Sequence, residues 1–425
     1  MDAQVIVVGG GPAGASTAWH LARAGVDVLV LERACFPRDK PCAEYLSPQA
    51  SRILASMGAL ELCERSGAAH LAGMIVRTPN GTRIQGDYAA AHGFTGFRDR
   101  GLALPRPVLD AILLDRARAA GARVQEGVRV SDVVRDARGV VRGVRVPRVG
   151  GNDREHQAGA STGTQTLAES GGEISASVVV GADGLRSVVS RRLGLGRTAR
   201  APRRIALVCH YRGVDGITSY GEMHVERDGY VGLADVGGGV TNVAMVLPAR
   251  AVRDAAGNPT QLFDRWLGAR RHLASRFARA ERTSPVRAVG PFARHARRAT
   301  MAGAALVGDA ADFFDPFTGE GIFTALRGGE LLAPAVLDSL GASTPRAARR
   351  ALARYDSARH HAFGGKWRVE RLVGLATTYP MLMNHAARTL ARRKELADLL
   401  VGVAGDFVPP REVLSLRYLA QLLLF

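Results

Sequence analysis

The spacing of apolar residues near the start of the chain predicts a strand, a helix and a second strand. The run "AQVIVV" is short, apolar and rich in β-branched residues, and glycines follow it. Apolar residues then recur at helical spacing in "PAGASTAWHLARA", and Gly25 is placed to end that helix. A second apolar run, "VDVLVL", predicts a buried strand that ends at Glu32. The start of the chain therefore predicts a β–α–β unit.

Patterns typical of strands and helices continue along the chain, with one region of strands alone and a final region of helices. An amphipathic helix is predicted in "RPVLDAILLDRARAAG" and a strand in "EISASVVVGADG". Runs typical of strands dominate from about residue 206 to 247, which predicts a separate sheet. After about residue 305 strand, loop and helix return, and from about residue 347 the pattern is mostly helical. The segment 148–173 is polar and has no periodicity, so we predict a flexible insertion there.

Composition narrows the class of protein. The 425 residues, 47% of them hydrophobic, are enough to bury a large core in two domains or one elaborated domain. The chain has no run of about 20 apolar residues and no signal-peptide pattern, so neither a membrane span nor secretion is predicted. Four cysteines without CxxC spacing favour a reduced, cytoplasmic setting, and no metal-ligand pattern occurs. The net charge of +18 lacks the basic–aromatic interleaving of nucleic-acid-binding proteins, so no nucleic acid is expected.

A glycine-rich turn joins the first predicted strand to the first helix. Gly9, Gly11 and Gly14 form GxGxxG, with Pro12 and Ala13 between the last two glycines. The first glycine permits a tight turn, the second lets the backbone approach a pyrophosphate, and the third lets helix and strand pack closely. Glu32, followed by Arg33, lies about twenty residues further on, where its carboxylate can accept hydrogen bonds from ribose hydroxyls. The motif predicts a dinucleotide site but does not distinguish NAD from FAD.

Two distant segments make that distinction. Asp183 and Gly184 follow a predicted strand in "VVVGADG", and "VGDAADFFDPFTGEGI" supplies further glycines and acids. A long cofactor with a polyalcohol chain explains both segments, because Asp309 can hydrogen-bond the ribityl hydroxyls and a helix N-terminus can face the flavin pyrimidine edge. We therefore predict FAD, and we predict that the second segment contacts it through Gly308, Asp309, Pro316, Gly319, Glu320, Gly321 and Ile322.

The three motifs, in this order, resemble the p-hydroxybenzoate-hydroxylase-type FAD superfamily, which includes aromatic hydroxylases and geranylgeranyl reductases. By position, Arg106 of "PRPVLDAIL" matches the family arginine that reaches toward the FAD ribose and phosphate. Val128 matches the strand residue whose backbone contacts adenine. The segment "FPRDKPCAEYLSP" is similar to the "KPCGG…SP" segment of the reductases, which places Cys42 near the flavin. Cys42 and Pro316 are the catalytic candidates that the resemblance implies.

The resemblance also implies a fold. We expect an α/β protein in which a Rossmann-like FAD-binding domain carries an inserted β-sheet substrate domain and a helical C-terminal segment. The expected divisions are the FAD-binding domain at 1–75, 106–200 and 296–345, the substrate domain at 76–105 and 201–295, and helices at 346–425.

Two stretches depart from the reductase pattern. Ala43 and Glu44 replace the paired glycines after the cysteine, and "GYVGLADVGGGVTNVAMVL" replaces an aromatic stretch. Acids and bases in the β-rich region are predicted to be packed or surface residues rather than catalysts; these are His210, Tyr211, His224 and Tyr230.

Three functions are compatible with these motifs. We predict the first, an NAD(P)H- and O₂-dependent monooxygenase that hydroxylates a small lipophilic aromatic or quinone-like compound of polyketide type, and the others are alternatives. The second is a flavin reductase of carbon–carbon double bonds in an isoprenoid or polyketide, which "KPC" and "TGEGI" favour. The third, a redox-inactive binding protein of the Rab-escort type, conflicts with the intact flavin motif. Helical spacing in the tail around Pro409–Pro410 favours core packing, with peripheral membrane contact as the alternative.

Overall fold

The computed structural model describes residues 1–90, 93–148, 171–198, 203–254, 257–313 and 315–423. Most of the insertion predicted at 148–173 lies outside these described residues.

The strands of the described chain are short, and most belong to two large sheets. In chain order they are β1 Ala3–Val8, β2 Val28–Leu31, β3 Tyr45–Leu46, β4 Ala69–Leu71, β5 Gly73–Arg77, β6 Arg83–Asp87, β7 Gly101–Ala103, β8 Arg123–Gln125, β9 Asp132–Arg135, β10 Val141–Val146, β11 Gly172–Gly181, β12 Gly196–Thr198, β13 Arg204–Arg212, β14 Tyr220–Glu226, β15 Gly229–Asp235, β16 Val240–Pro248, β17 Glu281–Arg282, β18 Arg287–Val289, β19 Arg294–Ala296, β20 Thr300–Met301, β21 Ala304–Leu306 and β22 Asp312–Phe313.

The two longest helices of the described residues lie between Gly321 and Thr378. In chain order, the helices are α1 Pro12–Arg23, α2 Ala50–Ser56, α3 Leu60–Arg65, α4 Arg106–Ala119, α5 Val188–Leu193, α6 Ala249–Asp254, α7 Pro259–Gly268, α8 Arg271–Ala274, α9 Gly321–Leu340, α10 Pro345–Thr378, α11 Pro380–Arg392, α12 Lys394–Ala404, α13 Arg411–Leu414 and α14 Leu416–Leu423. Short 3₁₀ turns occur at Ser275–Phe277, Gly308–Ala310 and Pro316–Thr318.

The first large sheet, called here the cofactor sheet, has a parallel centre in the order β21-β11-β1-β2-β8. Its central strands are continuous runs of buried Val, Ile and Leu, as expected for a parallel sheet covered on both faces. Helix α1 packs against α9 so closely that a Cβ at Gly329 would lie 2.7 Å from the Ser16 Oγ. Ser16 Oγ in turn donates to the Leu326 carbonyl at 2.8 Å. This contact fixes the helix that follows the second cofactor motif.

The second large sheet, called here the substrate sheet, has the order β17-β13-β16-β15-β14-β5-β6, with β18 also on β13. Its pairs are antiparallel except β14 with β5. Alternation along β13 sends Leu207 and Cys209 into the core under α7, and Ala206 and Val208 to the opposite face. That opposite face lines the cleft described below.

Helices α10 to α14 pack over β6 and complete the α/β architecture that the sequence predicts. Leu396, Val403 and Val413 of the tail are buried in one cluster with Ile84 of β6. Asp398 Oδ1 also accepts the Asp87 N–H at 2.8 Å. Within the described residues, no helix is both long enough and apolar enough to cross a membrane.

Candidate active site

A cleft with an empty volume of about 1650 Å³, open solvent at its mouth included, lies between the cofactor sheet and the substrate sheet. Its walls come from four segments that the sequence separates widely. They are the glycine-rich turn (Gly11, Pro12, Ala13), residues 40–45, the segment 308–313 and 315–322 that we call the flavin loop, and the substrate sheet. One face of α10 closes the remaining side through Tyr355, Arg359, Phe363, Trp367 and Glu370.

Two positions of the glycine-rich turn, Gly9 and Gly14, leave no room for a side chain. Gly9 has φ +104°, and a Cβ there would lie 2.5 Å from the Ala182 carbonyl oxygen. A Cβ at Gly14 would lie 1.8 Å from the Gly9 carbonyl oxygen. Glycine is therefore required at both positions for the turn to close against β11, and the N-terminus of α1 then opens into the cleft at Gly11 and Pro12.

The side chain of Glu32 is hydrogen-bonded to the backbone of this turn. Its buried carboxylate accepts the Gly10 N–H at 2.7 Å and the Ala34 N–H at 3.0 Å. The Glu32 carbonyl accepts the Val128 N–H at 2.8 Å, so Val128 lies directly beside the predicted ribose position. Arg33 is exposed, and Glu32, Arg33 and Val128 are not among the described residues that line the cleft. The roles of Glu32, Arg33 and Val128 toward FAD stay predictions.

Positive charge lies beside the turn. Arg106 is buried and forms a two-point ion pair with Asp110, and Arg38 Nη1 contacts the same carboxylate at 3.0 Å. Burial alone would lower the pKa of Arg106, but Asp110 and Cys42 raise it, so the guanidinium stays charged. Arg38 also lies 4.0 Å from Glu32 Oε1, so two guanidinium groups and two carboxylates meet beside the turn. A Cβ at Gly11 would lie 3.3 Å from Arg38 Nη2, so this guanidinium is within reach of the turn and can donate to a phosphate there.

Three further predicted residues, Asp183, Gly184 and Asp309, lie at the middle of the cleft. Asp183 Oδ2 accepts the Val188 N–H at 2.6 Å, whereas its Oδ1 is buried and has no partner among the described residues. Burial raises the pKa of Asp183. Gly184 and Asp309 line the cleft itself, and Lys40 Nζ lies 3.5 Å from Asp309 Oδ2. A cation from the segment 40–45 therefore faces the carboxylate predicted to hold the ribityl chain.

The flavin loop ends in a helix N-terminus that points into the cleft. Gly319 has φ +71°, and a Cβ there would lie 2.8 Å from the Tyr45 ring. Helix α9 begins at Gly321, so its first backbone N–H groups have no partner within the helix. Pro316, Glu320, Gly321 and Ile322 all line the cleft. The loop thus offers partly positive amides to a ligand edge.

A buried group of charges supports the loop from behind. Lys366 of α10 contacts Glu320 Oε2 at 3.1 Å and also pairs with Asp406. Burial lowers the pKa of Lys366 and raises that of Glu320, although each partner opposes the shift of the other. Burial also raises the pKa of Glu370, at the cleft wall, well above its usual range. Sequence reasoning missed Lys366 and Glu370, because a long helix gives no sign of which charge turns inward.

The substrate sheet supplies an apolar wall opposite the loop. Small and flexible apolar residues line it, namely Ala206, Val208, Met223, Gly232, Ala244 and Val246. Aromatic rings narrow one end, where the Phe292 and Phe313 centroids are 4.9 Å apart. Tyr230 donates to Asp315, which also pairs with Arg204 at 2.6 Å. This wall can hold an apolar ligand and exclude water.

The segment from Cys42 to Glu44 links that wall to the cofactor sheet. Cys42 and Glu44 both line the cleft, and the Glu44 N–H donates to Cys42 Sγ at 3.3 Å. The Glu44 carboxylate is buried and accepts the Arg106 N–H at 2.8 Å, Asn242 Nδ2 at 2.9 Å and His210 Nε2 at 2.8 Å. Burial alone would lower the pKa of His210, but Glu44 raises it above 6.5. In the sequence, Glu44 is marked only by its departure from the reductase pattern, and His210 is predicted to be a packed or surface residue.

Comparison with known proteins identifies the chain. A family model described as "FAD binding domain" matches residues 2–368. The chain belongs to this FAD-binding family.

Members and structural neighbours of the family have several activities. A digeranylgeranylglycerophospholipid reductase of Methanosarcina mazei is 28% identical over 345 residues, which cover 80% of this chain and 76% of that protein. A menaquinone reductase of Mycolicibacterium smegmatis is 28% identical over 426 residues, covering 96% and 92%. Among solved structures, the flavin-dependent brominase Bmp2 superposes with a TM-score of 0.78 at 19% identity, covering 96% of this chain and 94% of that chain. The last likeness shows the fold alone, and the predicted fold class is confirmed.

The residues present fit FAD along the whole cleft. The turn without side chains and the charges of Arg38 and Arg106 suit a pyrophosphate, Asp309 lies midway, and the amides at the start of α9 lie at the far end. This FAD-binding protein is therefore an FAD-dependent oxidoreductase, as predicted.

Substitution of Gly14 tests the turn. We expect Gly14→Ala to lose FAD, because the new Cβ would overlap the Gly9 carbonyl and force the turn open. The flavin-to-protein absorbance ratio after gel filtration measures this loss, with circular dichroism as the check on folding. Gly364→Ala on α10 is the matched control, since a Cβ there meets no atom within 4 Å. A folded Gly14→Ala protein with full flavin would contradict the assignment.

Proposed function

We propose that this oxidoreductase reduces carbon–carbon double bonds in a lipophilic, isoprenoid-like substrate. The observation that carries the proposal is the makeup of the cleft wall that faces the flavin loop. An apolar sheet face lies there beside two residues that can hold a proton, Cys42 and Glu44. Saturation of a double bond needs both an apolar site and a proton donor, because one carbon accepts a hydride and its neighbour a proton.

The relatives support this choice over hydroxylation. Both curated relatives above are named as reductases, and the names of their substrates describe lipids. The "KPC" and "TGEGI" stretches, which favour a reductase in the sequence, both lie in the cleft.

Each part of the cleft then has a role. Bound FAD supplies the hydride, with NAD(P)H proposed as the external two-electron donor. The substrate sheet excludes water from the apolar chain, through side chains such as Val208 and Val246. Cys42 holds the proton for the second carbon, and Arg106, whose guanidinium contacts the Cys42 sulfur, stabilises the thiolate that remains.

Hydroxylation of an aromatic compound is the second candidate. The aromatic end of the cleft favours it, because Tyr230, Phe292 and Phe313 can stack against a planar ring. A hydroxylase needs no proton donor in the wall, so the Cys42–Glu44 segment would have no catalytic part in it.

The mass of the product distinguishes the two reactions. The protein is reduced anaerobically with NAD(P)H in the presence of a geranylgeranyl lipid or a quinone, and the products are analysed by mass spectrometry before and after admission of air. We expect a gain of two hydrogens per double bond without O₂. A gain of one oxygen, seen only after air is admitted, would overturn the reductase proposal in favour of hydroxylation.

Cys42 gives a second test. We expect Cys42→Ser to keep its FAD and to be reduced normally by NAD(P)H, while turnover falls about 10²-fold, because a hydroxyl is a far weaker acid than a thiol. Cys35→Ser is the control, since that cysteine is exposed. Turnover within threefold of the unaltered protein would assign the proton to another group.

We also propose peripheral contact with an anionic membrane at the junction of α10 and α11. Exposed apolar residues cluster there, namely Leu372, Leu375, Tyr379 and Met381. Arg388 and Arg392 of α11 are exposed and supply positive charge that complements an anionic surface, whereas Arg393 and Lys394 are paired with carboxylates. On the inner side, Ala376 and Met383 pack in the cluster that contains Met223 and Tyr230 of the cleft. The proposed membrane face therefore lies against the apolar wall of the cleft.

Vesicle flotation tests this contact. We expect binding to phosphatidylglycerol vesicles but not to phosphatidylcholine vesicles, and we expect the double variant Leu375→Ser/Met381→Ser to lose it. Phe97→Ser is the control, because that exposed ring lies elsewhere on the chain. Equal binding by the double variant would show that another surface is responsible.

A further inference from the structure

Glu44 has a backbone conformation that glycine would adopt without strain. Its φ is +61°, in the left-handed region, where a residue with a Cβ is disfavoured by roughly 1–2 kcal/mol. The related reductases that the sequence resembles have paired glycines at this point. The contacts of the Glu44 carboxylate explain why a residue with a side chain occupies this strained position.

The carboxylate of Glu44 is the inner end of a hydrogen-bonded series that leads out of the cleft. Glu44 lines the cleft and bonds His210 Nε2 at 2.8 Å. The other ring nitrogen, His210 Nδ1, bonds Ser284 Oγ at 3.0 Å. Ser284 is only partly buried and lies between exposed neighbours, Thr283 and Pro285. The series therefore runs from the cleft wall to the outer side of the substrate sheet.

The groups around His210 favour its charged form. Glu44 faces it from the segment 40–45, and Asp39 adds a second negative charge from the preceding loop. Arg287 of β18 pairs with Asp39 at 2.6 Å and so offsets part of that charge. Asn242 on the neighbouring β16 is neutral and donates to Glu44 and to the Cys42 carbonyl. Although burial opposes it, these carboxylates raise the pKa of His210, which places a chargeable imidazole between solvent and cleft.

We propose that His210 and Glu44 form a proton relay that returns a proton to the cleft wall after each reduction. The inference rests on the proposed function. After Cys42 has given its proton to the substrate carbon, the thiolate regains one from the Glu44 carboxyl, which lines the same cleft. Glu44 in turn recovers a proton from His210 Nε2, which leaves the imidazole protonated on Nδ1 alone. Rotation of the ring then brings the bare nitrogen to the Ser284 hydroxyl, where it recovers a proton from water and restores the imidazolium. The two electrons of the reduction come from the external donor through FAD, so the relay moves protons alone.

His210→Gln separates the relay from a structural role. Glutamine can still donate one N–H to Glu44, but it cannot pass a proton on. We expect unchanged FAD content and unchanged flavin reduction, with turnover lowered 10²-fold or more. In the unaltered protein, turnover should fall tenfold per pH unit above the pKa of His210, since the relay needs the imidazolium. That limb should be absent in His210→Gln and intact in the control His70→Gln, whose histidine is exposed on β4.

Histidine titration gives a readout that does not depend on activity. With ¹³Cε1-labelled histidine, the NMR signal missing from His210→Gln identifies His210. Its pKa should lie above 6.5 in the unaltered protein and below 6.5 in Glu44→Gln, where burial acts without the opposing carboxylate. An unshifted pKa in Glu44→Gln would overturn the pairing on which the relay depends.

The outcomes separate the relay from the proposed function. If the unaltered protein adds two hydrogens and His210→Gln does so at a similar rate with the same pH limb, the relay is wrong and the reductase assignment stands. If the unaltered protein adds no hydrogens to any alkene, both are wrong. Should His210→Gln lose FAD, Ser284→Ala decides, because it interrupts only the solvent side. A tenfold loss of turnover there supports the relay, and an unchanged rate overturns it.

Discussion

The buried carboxylate of Glu44 joins the two sheets that form the cleft. One oxygen accepts the Arg106 N–H at the start of α4, and the other accepts from His210 of β13 and Asn242 of β16. Loss of this acceptor would leave buried donors unpaired, each at a cost of about 1–3 kcal/mol. Because α4 also positions Arg106 and Asp110 beside the glycine-rich turn, the same carboxylate couples the phosphate end of the cleft to its substrate wall.

Charge is arranged differently at the two ends of the cleft. At the turn, Arg38 and Arg106 both pair with Asp110, and Arg38 also lies 4.0 Å from Glu32 Oε1, so guanidinium N–H groups with partly offset charge lie beside the phosphate position. Behind the flavin loop, Lys366 pairs with two carboxylates, Glu320 and Asp406, so the amides of α9 rather than a free cation face the cleft. Oriented amides can stabilise negative charge that develops on a bound ring during reduction without supplying a permanent countercharge.

The sequence predicts the cofactor end well because its constraints are local. The exclusion of side chains at Gly9 and Gly14 follows from a turn between adjacent elements, and the apolar runs predict the strands on either side. The substrate wall depends instead on contacts between residues that are far apart in the sequence. Glu44 and His210 are 166 positions apart, and Glu44 and Asn242 are 198 apart. Strand pairing brings His210 beside Asn242, and the packing of the segment 40–45 against the substrate sheet brings Glu44 to both. The hydrophobic periodicity of the sequence does not reveal which distant residues will meet. It also does not reveal that Lys366 of α10 is buried.

The Glu44 side chain costs backbone strain and gains hydrogen bonds. Glycine there would relieve backbone strain of roughly 1–2 kcal/mol. Glu44 instead gives three buried donors a charged acceptor, and hydrogen bonds to charged groups contribute about 1.5–3 kcal/mol each. The hydrogen bonds outweigh the strain, so the carboxylate is stable in place. An apolar substitute would satisfy neither His210 nor Asn242, and a lysine would repel the imidazolium. Of the ionisable side chains, a carboxylate both secures the joint between the sheets and raises the pKa of the histidine beside the cleft.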